Sequence, residues 1–339
     1  MLAVVLVGGL GTRLRPLTET IPKQLLPVAG VPMIERVLSQ LALHGVDRAV
    51  LSVGYLPDPF VEAYPAKRIG GVEVSFAIEP HPLGTAGAIR FAARESGVQD
   101  TFLAVNGDVL TDVDVSALIA LHRARGAEGT IHLTPVADPS RFGVVVTGAD
   151  GLVLQFVEKP KADLAPSNDI NAGTYVLEPS FLDRIAPGDP VSVETQVFPL
   201  MVEHGVLFAM HDSSYWLDAG TPQSYLQANT DVLDGVRQLA SPGRRVGTSL
   251  VMDGASVAAS ATVERSVLSS GVVVEAGAVV RGAVLLDGAR IETSATVADS
   301  VVGPGAVVGA DSMLVGNCLV ARGARVPDGA RLDGVPVAS

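Results

Sequence analysis

The stretch LAVVLVGGLGTRLRPLTETIPK, residues 2–23, joins a short apolar run to a glycine-rich loop. The run Leu2–Val7 has the length and the Val/Leu content of a buried strand. Gly8, Gly9 and Gly11 let the backbone turn sharply after that strand and bring its N–H groups close to an anion. A strand that ends in such a loop predicts an α/β fold with a phosphate site at the strand's carboxyl end.

Three basic side chains surround this loop, namely Arg13, Arg15 and Lys23. A simple strand-to-helix turn would use the glycines but would leave three cations unexplained in a chain of net charge −12. The dinucleotide pattern G-x-G-x-x-G fails at Leu14, and the Walker pattern lacks its Gly-Lys-Ser/Thr. The residues therefore favour a polyphosphate-binding loop of another kind.

The full string GG-x-GTRL-x-PLT-x-x-x-PK resembles the signature of the sugar-1-phosphate nucleotidylyltransferases. The resemblance implies a Rossmann-like nucleotidyltransferase domain in which the three glycines, Thr12 and Arg13 bind the nucleotide. It also implies that Lys23 offsets charge on the phosphates. Further motifs along the chain extend the resemblance over most of its length.

Composition limits the alternatives. The chain has 339 residues, 48% of them hydrophobic and only 4% aromatic, which is enough for two domains with aliphatic cores. Its acidic balance argues against nucleic acid or an anionic membrane as partner. The single Cys318 excludes an internal disulfide, and no basic region precedes the first apolar run. We therefore expect no signal peptide or membrane span, and a cytoplasmic protein.

The first 235 residues alternate strand-like and helix-like segments. Helices are predicted at Pro32–Gly45, Thr85–Ser96 and Val115–Arg125, with another from Pro222. Strands are predicted at 49–53, 72–78, 101–105 and 129–136. Such alternation predicts a mostly parallel sheet with helices on both faces and ligands at the carboxyl ends of the strands.

After a linker at 236–250, residues 251–339 form a repeat. Aliphatic positions advance by 6, 5 and 6 residues, so that Val257, Val274, Ile291 and Val308 are each 17 apart. Three short sides per turn make a triangular prism, the hexapeptide β-helix, with the aliphatic side chains stacked inside. Cys318 occupies one of the small-residue positions and is therefore structural. The left hand of the helix is implied by the resemblance.

The segment EPHPLGTAGAI, residues 79–89, resembles the base-reading loop of the same family. Gly84 would let its N–H approach the base, and Glu79 would lie in the base plane. A carboxylate only accepts hydrogen bonds, which suits the adjacent donors of guanine better than the donor and acceptors of a pyrimidine. Without the resemblance, a surface Glu before a turn explains Glu79 equally well. The string PLGTAG resembles the GDP-mannose branch.

Two acids are candidate metal ligands. NGDV at 106–109 ends a predicted strand and offers Asp108, and YWLDAGTP at 215–222 offers Asp218. The resemblance also implies that Asn106 binds the nucleotide. Either Asp alone would suit a turn or a helix cap. Two carboxylates together with substrate phosphates are the usual ligands of Mg²⁺, and both acids lie in motifs of the resemblance.

Three further motifs match the family in their order along the chain, and the resemblance implies that they bind the sugar phosphate. RFGVV (141–145) offers the backbone of Gly143, and FVEKP (156–160) offers Glu158 to sugar hydroxyls and Lys159 to the phosphate. INAGTYV (170–176) offers Asn171 as another hydroxyl partner.

The resemblance implies transfer of a nucleotidyl group from GTP to mannose 1-phosphate, giving GDP-mannose and pyrophosphate. A glucose 1-phosphate or cyclitol phosphate enzyme using UTP, dTTP or ATP would keep every residue role. An acyltransferase site in the β-helix is disfavoured because all six histidines precede it, and a non-catalytic subunit because no site residue is missing. The ends and faces of a β-helix need covering, so we expect a homo-oligomer.

Overall fold

The computed structural model describes residues 1–338 and divides into two compact units. The first unit comprises Met1–Gly9 and Ile34–Trp216, and the second comprises Leu10–Met33 and the chain from Leu217 onward. The boundary between the units therefore falls within the glycine-rich loop, since Gly8 and Gly9 belong to the first unit and Gly11 to the second.

The bounds of the elements before the repeat are as follows. The helices are α1 Met33–Leu43, α2 Pro57–Ala63, α3 Gly84–Glu95, α4 Val115–Arg125, α5 Phe198–Glu203 and α6 Pro222–Leu233. The strands are β1 Leu2–Leu6, β2 Pro27–Val28, β3 Val31–Pro32, β4 Arg48–Val53, β5 Arg68–Ile69, β6 Val72–Ile78, β7 Phe102–Asn106, β8 Val109–Thr111, β9 Gly129–Pro135, β10 Gly143–Thr147, β11 Val153–Glu158, β12 Asp169–Leu177, β13 Leu207–His211 and β14 Trp216–Asp218. Single turns of 3-10 helix lie at Thr12–Leu14, Leu17–Glu19, Lys23–Leu25 and Ala162–Leu164, a longer one at Pro179–Arg184, and a π-helical turn at Val193–Val197.

The first unit is built on one large sheet. Its main strand order is β11-β10-β12-β7-β1-β4-β6-β5, in which β7, β1, β4 and β6 run parallel. Strand β12 is antiparallel to its neighbours β7 and β9. The central strands are continuous apolar runs because both of their faces are covered, and Val4 and Ala104 are fully buried. The predicted fold class, with its parallel centre, is confirmed.

The carboxyl ends of the parallel strands meet at one edge. Leu6 at the end of β1 pairs with Ser52 of β4 and with Asn106 of β7. Gly8, Gly9 and the NGD motif therefore follow adjacent strands at the same edge of the sheet.

One prediction for this part of the chain is wrong in its boundary. Pro32 does not open a helix but pairs with Pro27 in a hairpin of β2 and β3, and α1 begins at Met33. The two residues of the hairpin turn, Ala29 and Gly30, have φ of 46° and 79°. Positive φ at both turn positions is the geometry of a type I′ hairpin, and Ala29 carries no sequence signal for it.

The second unit contains the repeat. Its strands are β15 Arg244–Val246, β16 Ser249–Val251, β17 Ser256–Val257, β18 Thr262–Glu264, β19 Val267–Leu268, β20 Val273–Val274, β21 Val279–Arg281, β22 Val284–Leu285, β23 Arg290–Ile291, β24 Thr296–Ala298, β25 Val301–Val302, β26 Val307–Val308, β27 Met313–Val315, β28 Leu319–Val320, β29 Arg325–Val326, β30 Arg331–Asp333 and β31 Pro336–Val337.

Strands β16–β31 form three parallel sheets, as a triangular β-helix requires, and β15 pairs antiparallel with β16 at the edge of one of them. The predicted ladder is confirmed, since Val257 pairs with Val274, Val274 with Ile291 and Ile291 with Val308. Cys318 is fully buried, and its thiol donates to the carbonyl of Val315 at 3.1 Å. Within residues 1–338, no helix combines the length and the apolar character needed to cross a membrane.

Candidate active site

Glu79 lies directly against the glycine-rich loop. A Cβ on Gly8 would lie 2.9 Å from Glu79 Oε1, so only glycine fits beside this carboxylate. Oε1 accepts a hydrogen bond from Ser52 Oγ at 3.0 Å, and Oε2 accepts one from the N–H of Leu83 at 3.2 Å. Because a carboxylate has about four acceptor positions, two remain for a donor outside the chain.

The helix that follows Glu79 begins at Gly84 with a left-handed backbone, φ 71°. A Cβ at this position would lie 2.6 Å from the carbonyl oxygen of Val191. Close approach and positive φ both require glycine here. The next residue, Thr85, donates to Glu194 Oε2 at 2.8 Å, so Glu194 fixes the start of α3.

A β-bulge places Asn171 at the end of the sheet. The register of β12 against β9 shifts between Asn171 and Tyr175, and Gly173 within the bulge has φ 78°. A Cβ on Gly173 would lie 2.6 Å from Asn106 Nδ2, so the bulge brings the NGD and NAG motifs together. Asn171 Nδ2 donates to Tyr175 Oη at 3.0 Å, and its Oδ1 accepts from Gly173 N–H at 3.2 Å.

Gly143 and Glu158 face each other across β10 and β11. A Cβ on Gly143 would lie 2.9 Å from Glu158 Oε2, and that buried oxygen has no hydrogen-bond partner among residues 1–338. The other oxygen, Oε1, lies 2.8 Å from Lys159 Nζ. An unpaired buried acceptor is costly, and a ligand hydroxyl would satisfy it.

Lys159 itself has φ 46°, a left-handed conformation that is unfavourable for a side chain of this size. Its N–H donates to the carbonyl of Phe142 at 2.9 Å, which holds the strained turn in place. The ammonium remains exposed, with 66% of the side chain accessible. Strain of this kind is concentrated at ligand-binding positions.

Three aromatic side chains not singled out from the sequence lie among these residues. Trp216 Nε1 donates to the carbonyl of Ala172 at 2.9 Å, and its ring meets Phe142 edge-on at 5.5 Å. Tyr175 is buried, and burial, with a smaller contribution from the charge of Glu194, raises the pKa of its phenol. The phenol therefore stays neutral and supports Asn171.

Asp108 follows the end of β7 and is 9% exposed. The preceding Gly107 donates its N–H to the carbonyl of Leu6 at 3.0 Å, so the NGD turn is tied to the end of β1. A Cβ on Gly107 would lie 2.8 Å from Val7 Cγ1, which leaves room only for glycine beside β1. The close packing fixes the backbone that carries Asp108.

In the second unit, the loop from Gly11 is internally braced. Gly11 has φ 60°, and its carbonyl accepts from Thr18 Oγ1 at 2.8 Å and from the N–H of Leu14 at 2.9 Å. Thr12 and Arg13 lie in the exposed 3-10 turn that follows. Lys23 opens a later 3-10 turn whose last bond joins Leu26 N–H to the carbonyl of Lys23, 3.1 Å apart.

Asp218 and Arg13 form an ion pair in this unit. Arg13 Nη2 lies 3.6 Å from Asp218 Oδ2, while Oδ1 accepts from the N–H of Gly220 at 2.9 Å. A Cβ on Gly220 would lie 2.7 Å from Arg13 Nη2, so the glycine of the DAGTP motif lets the guanidinium reach the acid. The side chain of Asp218 is 24% exposed and accessible to a ligand.

The donor chemistry of the two acids fits a hard divalent cation, because Mg²⁺ prefers carboxylate oxygens and keeps several waters or phosphate oxygens. Asp108 is held at the tip of a packed turn, and Asp218 keeps an accessible carboxylate. Within the described chain, no cluster of three or more His, Cys, Asp or Glu side chains is arranged to hold a metal.

The structure thus brings predicted residues together in pairs: Gly8 with Glu79, Asn106 with the segment of Asn171, Gly143 with Glu158, and Arg13 with Asp218. Sequence reasoning missed Ser52, Phe142, Tyr175 and Trp216. The last three lie inside the quoted motifs, and Trp216 is the chain's single tryptophan, which was an available signal. Ser52 has no such signal because its position depends on the pairing of strands.

Comparison with known proteins places this geometry in a family. The nucleotidyl transferase family model matches residues 2–235, and the GMPPB C-terminal domain model matches residues 245–339. Mannose-1-phosphate guanylyltransferase of Mycobacterium tuberculosis is 38% identical over 285 residues, covering 83% of this chain and 79% of that protein. The catalytic subunit beta of the same enzyme from Dictyostelium discoideum is 37% identical, covering 76% and 72%.

A solved structure shares the fold of most of the chain. HddC from Yersinia pseudotuberculosis, complexed with GMP-PN, is 31% identical with a TM-score of 0.58. It covers 67% of this chain and 97% of its own length.

Proposed function

The chain belongs to the nucleotidyl transferase family, and on that premise we propose that it transfers a guanylyl group from GTP to mannose 1-phosphate. The products are GDP-mannose and pyrophosphate. The observation that carries the choice of base is the carboxylate of Glu79 against Gly8, with acceptor positions left for a ligand. The relatives named as mannose-1-phosphate guanylyltransferases, and the HddC complex with GMP-PN, support the same choice.

Glu79 reads the base in this proposal. Guanine presents adjacent donors at N1 and N2, and two carboxylate oxygens accept both. Uracil and thymine present one donor between two acceptors, which the carboxylate would repel. Gly84 offers its backbone at the start of α3, and Asn106 lies beside the nucleotide.

The sugar phosphate is held by the second group of residues. Glu158 Oε2 accepts from a sugar hydroxyl, which satisfies the unpaired oxygen, and Gly143 contacts the sugar through its backbone. Asn171, oriented by Tyr175, binds another hydroxyl. The exposed ammonium of Lys159 holds the phosphate that attacks.

The reaction is an in-line displacement. An oxygen of the sugar phosphate forms a bond to the α-phosphorus of GTP, and the bond from that phosphorus to the bridging oxygen of pyrophosphate breaks. The attacking phosphate has a second pKa near ~6, so it is largely a dianion at neutral pH and needs no protein base. Catalysis then consists of positioning and charge neutralisation.

The glycine loop, Thr12 and Arg13 orient the leaving pyrophosphate, and Lys23 offsets phosphate charge. Asp108 and Asp218 would hold Mg²⁺, which when bound supplies positive charge to the phosphates. The ion pair of Asp218 with Arg13 orders both side chains before the substrates arrive.

We also propose that the protein is cytoplasmic, with a catalytic domain at 1–235, a linker at 236–250 and a β-helix at 251–339.

The proposal is tested by pyrophosphate release. GTP, UTP, dTTP and ATP are each combined with mannose 1-phosphate and with glucose 1-phosphate in the presence of Mg²⁺. We expect GTP with mannose 1-phosphate to give the highest kcat/KM. A clear preference for UTP or dTTP with glucose 1-phosphate would overturn the proposed substrates but leave nucleotidyl transfer as the reaction. No turnover with any pair would overturn the proposed substrates and the proposed reaction.

A further inference from the structure

The hairpin of β2 and β3 follows directly after Lys23 and is clamped from two sides within the second unit. Only Leu26 separates the 3-10 turn Lys23–Leu25 from the first strand of the hairpin. The carbonyl of Leu26 accepts from the N–H of Met33 at 3.1 Å, which closes the base of the hairpin. A displacement of the hairpin therefore moves the turn that carries Lys23.

Helix α6 forms one side of the clamp. The N–H of Ala29 at the hairpin tip donates to Asn229 Oδ1 at 2.8 Å, and Tyr225 Oη donates to the carbonyl of Pro27 at 2.6 Å. Both donor and acceptor side chains are buried, and Asn229 Nδ2 is itself held by the carbonyl of Tyr225 at 2.9 Å. These bonds fix the hairpin along its length.

The first coil of the β-helix forms the other side. Gly30 packs so closely on the Met252 side chain that a Cβ would overlap Met252 Cε, and it would lie 3.0 Å from Pro242 Cγ. A Cβ on Gly243 would lie 2.7 Å from Met252 Sδ, so two glycines make the space for this thioether. Met252 is 7% exposed, and its N–H donates to the carbonyl of Leu268 at 2.9 Å, in the next coil.

From these contacts we infer that Met252 is a positioning residue for the nucleotidyl transfer reaction, acting through the Pro27–Pro32 hairpin on Lys23. The inference rests on the proposed role of Lys23. The β-helix contains no histidine or lysine that could take part in the chemistry itself. In this inference it contributes to catalysis indirectly, because its first coil sets the position of a phosphate-binding cation. The polarisable, unbranched side chain of methionine suits a gap between two glycines.

Misplacing a catalytic group by about 1 Å can cost up to about 100-fold in rate, and a truncated Met252 leaves the hairpin held from one side only. For Met252→Ala we expect kcat to fall about tenfold, with KM for mannose 1-phosphate changed less than about twofold. Met252→Leu, which conserves volume, should restore most of kcat. Met313→Ala is the matched control, because Met313 lies in the same β-helix but is 37% exposed.

A double-mutant cycle separates positioning from general loosening. If Met252 acts through Lys23, Met252→Ala should cost kcat nothing further in a Lys23→Gln background, because coupled residues are not additive. All variants are assayed as full chains at a temperature where circular dichroism shows them folded. Full additivity of the two losses, or a Met252→Ala enzyme with wild-type kcat, would overturn the inference.

The same cycle distinguishes this inference from the proposed function. If Lys23→Gln alone retains full kcat, the proposed role of Lys23 is wrong and the inference falls with it. If Lys23→Gln slows turnover while the cycle is additive, the proposed function stands and only the positioning role of Met252 fails.

Discussion

Glu79 is a partly buried carboxylate. The chain donates two hydrogen bonds to it, from Ser52 and Leu83, and leaves acceptor positions for a ligand. Replacement by Gln substitutes an NH₂ donor for one acceptor oxygen, so one guanine donor would face another donor. We expect Glu79→Gln to weaken transition-state binding with GTP by about 1–3 kcal/mol, which is measured as a lower kcat/KM. The ratio of kcat/KM for GTP to kcat/KM for UTP should also become smaller. Steady-state kinetics with both nucleotides measure the change.

Glu73→Gln is the matched control for this substitution, since Glu73 lies exposed on β6, the strand that Glu79 directly follows. An unaltered preference for GTP in Glu79→Gln would assign Glu79 to holding Ser52 and Leu83 alone.

The two acids proposed to hold Mg²⁺ give a second prediction at the residue scale. Asp108→Asn and Asp218→Asn should each lower kcat by on the order of 100-fold or more, because bound Mg²⁺ supplies several kcal/mol of charge stabilisation. The amide oxygen introduced by Asp218→Asn would still accept from the N–H of Gly220, so the loop is expected to keep its shape. Chelation of divalent ions should abolish turnover in the wild type.

Asp114→Asn serves as the control for charge removal. Asp114 caps α4 by accepting from the N–H of Ala117 at 3.0 Å, and an asparagine side chain caps equally well. A mild effect at Asp218 would remove it from the metal and leave Asp108 to act with waters.

Individual site residues could be predicted where a motif fixes the residue and its strand end together. Gly8 and Glu79 are examples, because each directly follows a strand that the sequence predicts. Ser52 could not be predicted, since it meets Glu79 only through the parallel pairing of β4 with β6. Nothing in the local sequence encodes that partner.

Elements were predicted best where periodicity and a cap agree. Helix α4 begins at Val115 and ends at Arg125 as expected, with Asp114 as its cap. The hairpin of β2 and β3 was missed because proline before an apolar run is typical of a helix start. Its turn is stabilised instead by Asn229 and Met252, which lie far along the chain in α6 and the first coil, and no local pattern can show such contacts.

Strand β9 carries a buried histidine whose protonation should affect stability. His132 is 1% exposed, and neither ring nitrogen has a hydrogen-bond partner in the part of the chain that the structure describes. Burial lowers the pKa of His132 to about 4, against a weaker opposing effect of the Asp212 charge. In the unfolded chain the same group titrates near ~6.5.

Between these two pKa values the unfolded chain binds a proton that the folded protein does not. Stability from the neutral His132 is therefore present above about pH 6.5 and is lost as the pH falls toward about 4. From about pH 7 to about pH 5 we expect the free energy of unfolding to fall by about 2 kcal/mol more in the wild type than in His132→Met. Urea unfolding at both pH values measures the difference.

His81→Met is the matched control, because it replaces an exposed histidine, and not a buried one, by the same residue. Equal losses in the wild type and in His132→Met would show that the pKa of His132 is not depressed.

At the scale of the whole molecule, the repeat was the most predictable feature. A 17-residue period determines which aliphatic side chains stack, and the structure places Val274, Ile291 and Val308 in the interior at 1% exposure or less. The association of Leu10–Met33 with the C-terminal unit could not be predicted, since it depends on long-range packing rather than on spacing.

The ends of the coil stack lead to the last prediction. Val257 in the first coil is 41% exposed, and Val335 near the last is 40% exposed, so apolar positions of the repeat remain accessible. Repeat proteins cover such ends and faces with caps or with other chains. We expect full-length protein to form a homo-oligomer, with a mass by light scattering that is a multiple of 34.9 kDa.

A chain ending at Ser241 should then be monomeric and should unfold at a lower temperature, because the hairpin at Gly30 loses its contact with Met252. Circular dichroism checks that the shortened chain is folded before its mass is compared. If the truncated protein forms an oligomer with the same number of chains as the full-length protein, the self-association surface lies within residues 1–241. Acetyl transfer from acetyl-CoA by the C-terminal fragment would instead show that the β-helix has a catalytic site.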